Sequence, residues 1–121
     1  MALYYRNLTV GRKALDLAKE AYRLSRSLTK EEMFGMRSLL TRAAASIPAN
    51  IAEGWSRESD KVPVCFFAVA QGSLAETDTF VILCEEIGWF PTRDTEALHA
   101  LIVEVGKMLS ALRRKRRPPR S

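Results

Sequence analysis

Apolar residues recur at three- and four-residue intervals through four separate stretches of the chain, and nowhere alternate with polar ones over a strand's length. The first spacing keeps one helical face apolar, whereas alternation builds a strand. The pattern therefore predicts helices and no sheet. The first stretch runs from about Thr9 to Leu28, with Val10, Ala14, Leu17, Ala18, Ala21, Leu24 and Leu28 on one face and Thr9 as N-cap. Thr29-Lys30-Glu31-Glu32 has capping-box spacing and starts a second helix. That helix carries Met36, Leu39, Leu40, Ala43, Ala44, Ile47 and Ile51 and ends near Gly54 to Arg57. Pro48 lies inside it, so a kink or short break is expected there. A third helix is capped by Ser59, has Pro63 in its first turn and closes at Gly88. Its buried faces hold Phe66, Phe67, Ala70, Leu74, Phe80, Val81, Cys84 and Ile87, and Gly72 and Ser73 invite a close backbone approach. After Trp89-Phe90-Pro91, Thr92 or Asp94 caps a fourth helix with Leu98, Leu101, Ile102, Val105, Met108, Leu109 and Leu112.

Connections this short join antiparallel neighbours, so the expected fold is an all-α, up-down-up-down four-helix bundle. It spans residues 1–112, and residues 113–121 form a basic C-terminal tail. With 121 residues, 47% hydrophobic and 27% charged, the chain is a single domain able to bury a core. No apolar run approaches about 18 residues, so no membrane span is expected. The start, Met1-Ala2-Leu3-Tyr4-Tyr5-Arg6, does not read as a secretory signal, and the expected location is cytoplasmic.

The net charge of +5 is unevenly placed. Residues 1–61 hold eleven Lys and Arg against seven acids, a balance of +4, and residues 62–112 hold two against seven, a balance of −5. The tail adds six cations, Arg113, Arg114, Lys115, Arg116, Arg117 and Arg120, and no acid. A neutral body with a basic arm fits a phosphate backbone, which is bound through counterion release. On the first helix, Arg12, Lys19, Arg23, Arg26 and Lys30 project within about 40° of one direction, opposite the apolar face. That stripe and the tail are the candidate nucleic-acid surface; its plainer reading is a solvated helix back with a solubilising end.

Catalytic chemistry finds little to work with. Glu96-Ala97-Leu98-His99 has the Glu-x-x-His spacing of di-iron bundles, but such a site needs two of these pairs. His99 is the single histidine, and no glycine-rich phosphate loop or nucleophile elbow is present. The expectation is no enzyme, no metal and no cofactor. Cys65 and Cys84 fall on one helix about 28 Å apart, too far for a disulfide. Arg42, Asn50 and Glu53 on the second helix, with Ser73, Glu76 and Asp78 on the third, are read as a structural polar network. Arg42 is expected at least partly buried against Glu76, Asp78 or Glu53.

Residues 41–54, Thr-Arg-Ala-Ala-Ala-Ser-Ile-Pro-Ala-Asn-Ile-Ala-Glu-Gly, resemble the signature of the four-helix-bundle proteins encoded in ribosomal RNA intervening sequences. Ala70-Gln71-Gly72-Ser73-Leu74-Ala75-Glu76 is similar to their second motif, and Tyr5 to Val10 with Lys13-Ala14 to their opening. Gly11, Leu39, Thr41 and Thr77 depart from the usual pattern. Residues 100–109 with the basic end also resemble Avd, the accessory variability determinant of diversity-generating retroelements. The resemblance implies a non-catalytic bundle in a ring-like homopentamer. For the Avd group it implies binding to nucleic acid, RNA in the first place, and to a reverse transcriptase. The alternative is an oligomeric protein–protein scaffold with no direct nucleic-acid role.

Overall fold

The computed structural model describes residues 8–56 and 63–116. Helices α1 (Thr9–Ser25), α2 (Met36–Ser56), α3 (Pro63–Ile87) and α4 (Thr92–Arg116) follow one another, with a 3-10 turn at Lys30–Glu32 between the first two. Among the described residues there is no strand. Each helix packs on the next and α4 packs back on α1, while among the described residues the backbones of neither diagonal pair come within 8 Å, Cα to Cα. This closed cycle of neighbours puts the core on a shared central axis. Leu17, Leu40, Ile47, Ile51, Phe67, Val81, Leu98, Val105 and Leu109 meet there without solvent exposure. Burying each large side chain contributes about 1.5–3 kcal/mol.

Several boundaries differ from the sequence expectation. The N-cap of α1 is Leu8, with no side-chain cap, and Thr9 is already helical. The helix stops at Ser25 rather than Leu28, where Ser25 and Ser27 hydroxyls donate to the carbonyls of Tyr22 and Leu24. Such bonds satisfy a helix end locally. Thr29 makes no capping bond. Glu32 does not reach back to it. Its Oε1 accepts from the Met36 backbone N–H at 3.2 Å and so caps α2 instead. The second helix therefore starts four residues after Glu32.

Pro48 does not break α2, which is continuous from Met36 to Ser56. The expected Ser59 cap lies outside the described residues. The close approach occurs not at Gly72, where an added Cβ would meet nothing within 4 Å, but at Gly54, where it would stand 2.6 Å from the Phe67 ring. Gly88 ends α3 as expected, at φ 92. Its N–H bonds Glu85 O and the Trp89 N–H bonds Cys84 O, the paired bonds of a Schellman end. Phe90 then folds inward, 2% exposed.

Two expected core residues are exposed, and Phe66, Phe80, Leu101, Met108 and Leu112 are half-buried. Leu39 and Ile87 are 47% and 49% exposed. Cys65 and Cys84 do share α3, the first exposed and the second buried. Among the described residues no helix is long and apolar enough to cross a membrane. The start of the basic tail is not separate from the bundle, because α4 continues through Arg113, Arg114, Lys115 and Arg116. Arg117 and Arg120 lie outside the described residues.

Candidate nucleic-acid interface and polar groove

The stripe of α1 is largely neutralised by its own helix. Arg12 Nη2 lies 3.4 Å from Asp16, and Lys19 Nζ lies 3.9 Å from the same carboxylate. Arg23 donates to Glu20 at 2.8 Å, and that hydrogen bond and charge hold its guanidinium above its ordinary pKa. Its Nη2 also reaches the backbone carbonyl of Asp94 on α4 at 3.5 Å. Lys30 leaves the stripe altogether, because α1 has ended and the residue sits on the 3-10 turn. Arg26 and Lys30 are exposed and, among the described residues, have no acidic partner. Exposed ion pairs contribute little stability, but each one removes a free cation from the surface.

At the other end of α1, Leu8, Thr9, Val10, Met108, Ala111, Leu112, Arg114 and Lys115 line an open groove of about 680 Å³. The start of α1, with no side-chain cap among the described residues, adds its first N–H groups and positive dipole end to the two cations. Arg114 and Lys115 are exposed and partnerless among the described residues. Arg113 is not available in the same way. Its Nη1 donates to Gln71 Oε1 on α3, its Nε is buried without a partner among the described residues, and Gln71 Nε2 donates to Ser110 at 3.0 Å. The first cation of the expected tail is thus a packing residue.

The polar network is rebuilt around a residue that the sequence reading passed over. Ser46 Oγ lies 2.8 Å from Ser73 Oγ, joining α2 to α3. Asn50 Nδ2 donates to the Ser46 carbonyl at 2.8 Å and to its hydroxyl at 2.9 Å. Thr77, fully buried, donates to the Ser73 carbonyl at 2.8 Å. Arg42 does not join them. It is exposed, with no partner among the described residues, on the wall of a groove of about 300 Å³ that also holds Leu39, Ser46, Ser73, Glu76 and Phe80. Glu53 is half-buried on the same helix. Asp78 faces α4, 3.6 Å from His99 Nδ1.

That contact belongs to a second polar cluster that the sequence reading did not find. His99 Nε2 lies 3.1 Å from Glu85 Oε2, and the buried Thr95 hydroxyl bonds the same carboxylate. Thr95 and His99 are four apart on α4, a spacing that could have flagged them as one face. Glu96, the other half of the Glu-x-x-His spacing, is exposed, and His99 is half-buried. Among the described residues no three His, Cys, Asp or Glu side chains form a metal-holding group.

An all-α protein of four sequential helices, with a polar seam between its second and third helices and free cations at its ends, is the class these features define. The family model described as 23S rRNA-intervening sequence protein matches residues 6–111, and the chain belongs to that family. A crystal structure of a protein with unknown function from the S23 ribosomal protein family of Bacteroides thetaiotaomicron VPI-5482 has a similar fold. Its TM-score is 0.78 at 23% identity, over 85% of this chain and 96% of that one. No curated protein matches the chain.

Proposed function

We propose that the protein is a non-catalytic accessory bundle that binds nucleic acid, RNA first, through the cations at its ends. The observation that carries this reading is the pair Arg114 and Lys115, exposed and without a partner among the described residues, beside the start of α1. Arg116, Arg117 and Arg120 extend the same basic run in sequence. Arg26 and Lys30, exposed and without an acidic partner among the described residues, supply cations at the far end of α1.

The proposal includes an up-down-up-down arrangement. Contacts at opposite ends of each helix pair support it. Ser46 meets Ser73 while Gly54 abuts Phe67, and Thr95 meets Glu85 while Ser110 meets Gln71. Lys13 approaches Glu104 to 3.4 Å while Arg23 reaches Asp94. In each pair the residue numbers run in opposite senses.

The proposal also includes a cytoplasmic homo-oligomeric ring, most simply a pentamer. The +4 half of the chain and the −5 half give unlike surfaces that neighbours can bring together head to tail. A ring presents several basic ends to one strand, so weak single contacts sum to avidity. The likeness of residues 100–109 to the Avd group points to a reverse transcriptase as the protein partner.

A second reading has its own support. Pairing of Arg12, Lys19 and Arg23 with carboxylates leaves α1 a poor phosphate track, which favours a protein–protein scaffold. A salt titration of RNA binding separates the two, comparing the full chain with a chain lacking residues 113–121. Each phosphate contact contributes about 0.7 to the slope of log affinity against log salt on single strands. With Arg113 engaged on α3, loss of three or four contacts should flatten the slope by roughly 2–3 units. Equal slopes would leave the scaffold reading in place. Light scattering that finds a monomer at micromolar concentration would remove the ring.

A further inference from the structure

Tyr22, Arg26, Lys30 and Phe34 follow one another at intervals of four residues: an aromatic ring, two cations and a second ring. All four are exposed. Tyr22 sits on the last turn of α1, 47% exposed, and Phe34 on the link to α2, 91% exposed. Arg26 and Lys30 have no acidic partner among the described residues. Tyr22 and Arg26 border an open groove of about 500 Å³, to which Leu15 and Ala18 give an apolar floor. Leu15, Tyr22 and Arg26 fall within about 40° of one another at 100° per residue, so ring and cation share one stripe. Glu20, on the same groove, is held by Arg23 at 2.8 Å, and Glu32 is engaged at the start of α2. The ion pair that removes Arg23 from a phosphate track thus also neutralises an acid that would repel one. Glu31 remains exposed, next to Lys30 in sequence. Among the described residues no ring lines the groove at the opposite end of α1.

We propose that Tyr22 and Phe34 are stacking platforms for unpaired RNA bases, with Arg26 and Lys30 holding the phosphates between them. The inference rests on the nucleic-acid reading above and adds to it the form of RNA that is held. Rings and cations are interleaved here as bases and phosphates are along a strand. An apolar protein surface that covered both rings would enclose the two cations unpaired, which is strongly unfavourable. A strand covers the rings and pairs the cations together. In a duplex the base faces are stacked on one another, so only unpaired nucleotides can lay a face on a ring. Every base has such a face, so the site distinguishes unpaired from paired RNA rather than one sequence from another. The two contributions separate in measurement. Loss of a ring lowers affinity and leaves the salt dependence alone, whereas loss of a cation flattens it.

The test measures binding of the full chain, over a range of salt, to an oligouridylate, an RNA duplex of the same length and an abasic strand with the same number of phosphates. Tyr22→Ala and Phe34→Ala should each weaken oligouridylate binding about tenfold, the size of one lost base stack. The salt slope should stay as in the wild type, and so should binding to the duplex and to the abasic strand. Tyr22→Trp and Phe34→Trp should keep wild-type affinity. Tyr22→Leu and Phe34→Leu, which keep apolar bulk without a ring face, should bind as the alanine variants do. Circular dichroism melts and light scattering should show every variant folded and at the wild-type mass. Alanine variants that bind oligouridylate like the wild type overturn the platforms and leave the nucleic-acid reading in place. So do leucine variants that match the tryptophan ones, or an equal loss on all three probes. A variant of altered mass puts its ring between chains and overturns the platform at that residue. A wild type that binds none of the probes removes the platforms and the nucleic-acid reading together.

Discussion

Cys84 shows how burial at a single residue becomes a measurable property. Its side chain has no solvent exposure, and burial, with the charges of Glu32 and Glu85, pushes its thiol from 9.0 up to about 11. Below pH 9 the thiol is neutral in both folded and unfolded chains, so it leaves stability unchanged. Between 9 and about 11 the unfolded chain ionises first, and stability falls as pH rises. The full loss is about 3 kcal/mol. Urea midpoints measured across that window should decline less steeply for Cys84→Val than for the wild type. A thiol reagent near neutral pH should modify Cys65 in the native chain and reach Cys84 only on unfolding. At Ser46 the expected effect is on packing polarity. Ser46→Ala takes a partner from both Asn50 and Ser73 and should cost about 1–3 kcal/mol in denaturant titration. Arg42→Ala removes an exposed group with no partner among the described residues and should change the stability of the isolated chain by less than about 0.5 kcal/mol.

Helices meet most tightly where α2 crosses α3 at Gly54. The Phe67 ring is fully buried and lies 2.6 Å from where a Cβ would stand, so Gly54→Ala forces either the ring or the helix to move. Overpacking of this kind costs about 1–3 kcal/mol, more than the roughly 1 kcal/mol that alanine gains in a helix. Gly72→Ala on the next helix meets nothing and should stabilise by up to about 1 kcal/mol. Thermal melts of the two variants should therefore shift in opposite directions. The sequence shows four helices because each repeats its apolar spacing over several turns, and a long repeat outweighs local irregularity such as Pro48. Where α1 ends and α2 begins is less legible. Thr29 and Glu32 have the spacing of a capping box, but the Glu32 carboxylate has two helix starts within reach and serves Met36. The polar seam was half legible. Asn50 and Ser73 stood out as polar residues on apolar faces, yet the wheel gives a residue's direction and not the rotation of the neighbouring helix. That rotation brings Ser46 to Ser73 and leaves Arg42 in solvent.

For the whole molecule, binding depends on which cations are free rather than on the total. The net charge is +5, but Arg12, Lys19 and Arg23 are each held by a carboxylate one turn away, and Lys13 faces Glu104 across the α1–α4 seam. Replacing Arg26 and Lys30 by Gln should flatten the salt dependence of RNA binding by about 1.4 units. The same change at Arg12 and Lys19 should flatten it by clearly less, because Asp16 already holds both cations and they release few counterions from a phosphate backbone. Filter binding over a range of salt concentrations would read both.

The continuation of α4 through Arg116 governs the aim of the basic residues. On an extended arm, neighbouring cations can all swing toward one strand. On a helix each is turned about 100° from the last and raised by 1.5 Å, so Arg113, Arg114 and Lys115 spread like the spokes of a wheel. One spoke is already pinned against Gln71. A straight strand that meets one of the other two leaves the second turned about 100° away from it, open to a different length of chain or the flank of a folded one. An RNA with two segments side by side, such as a hairpin stem, matches that geometry better than a straight single strand.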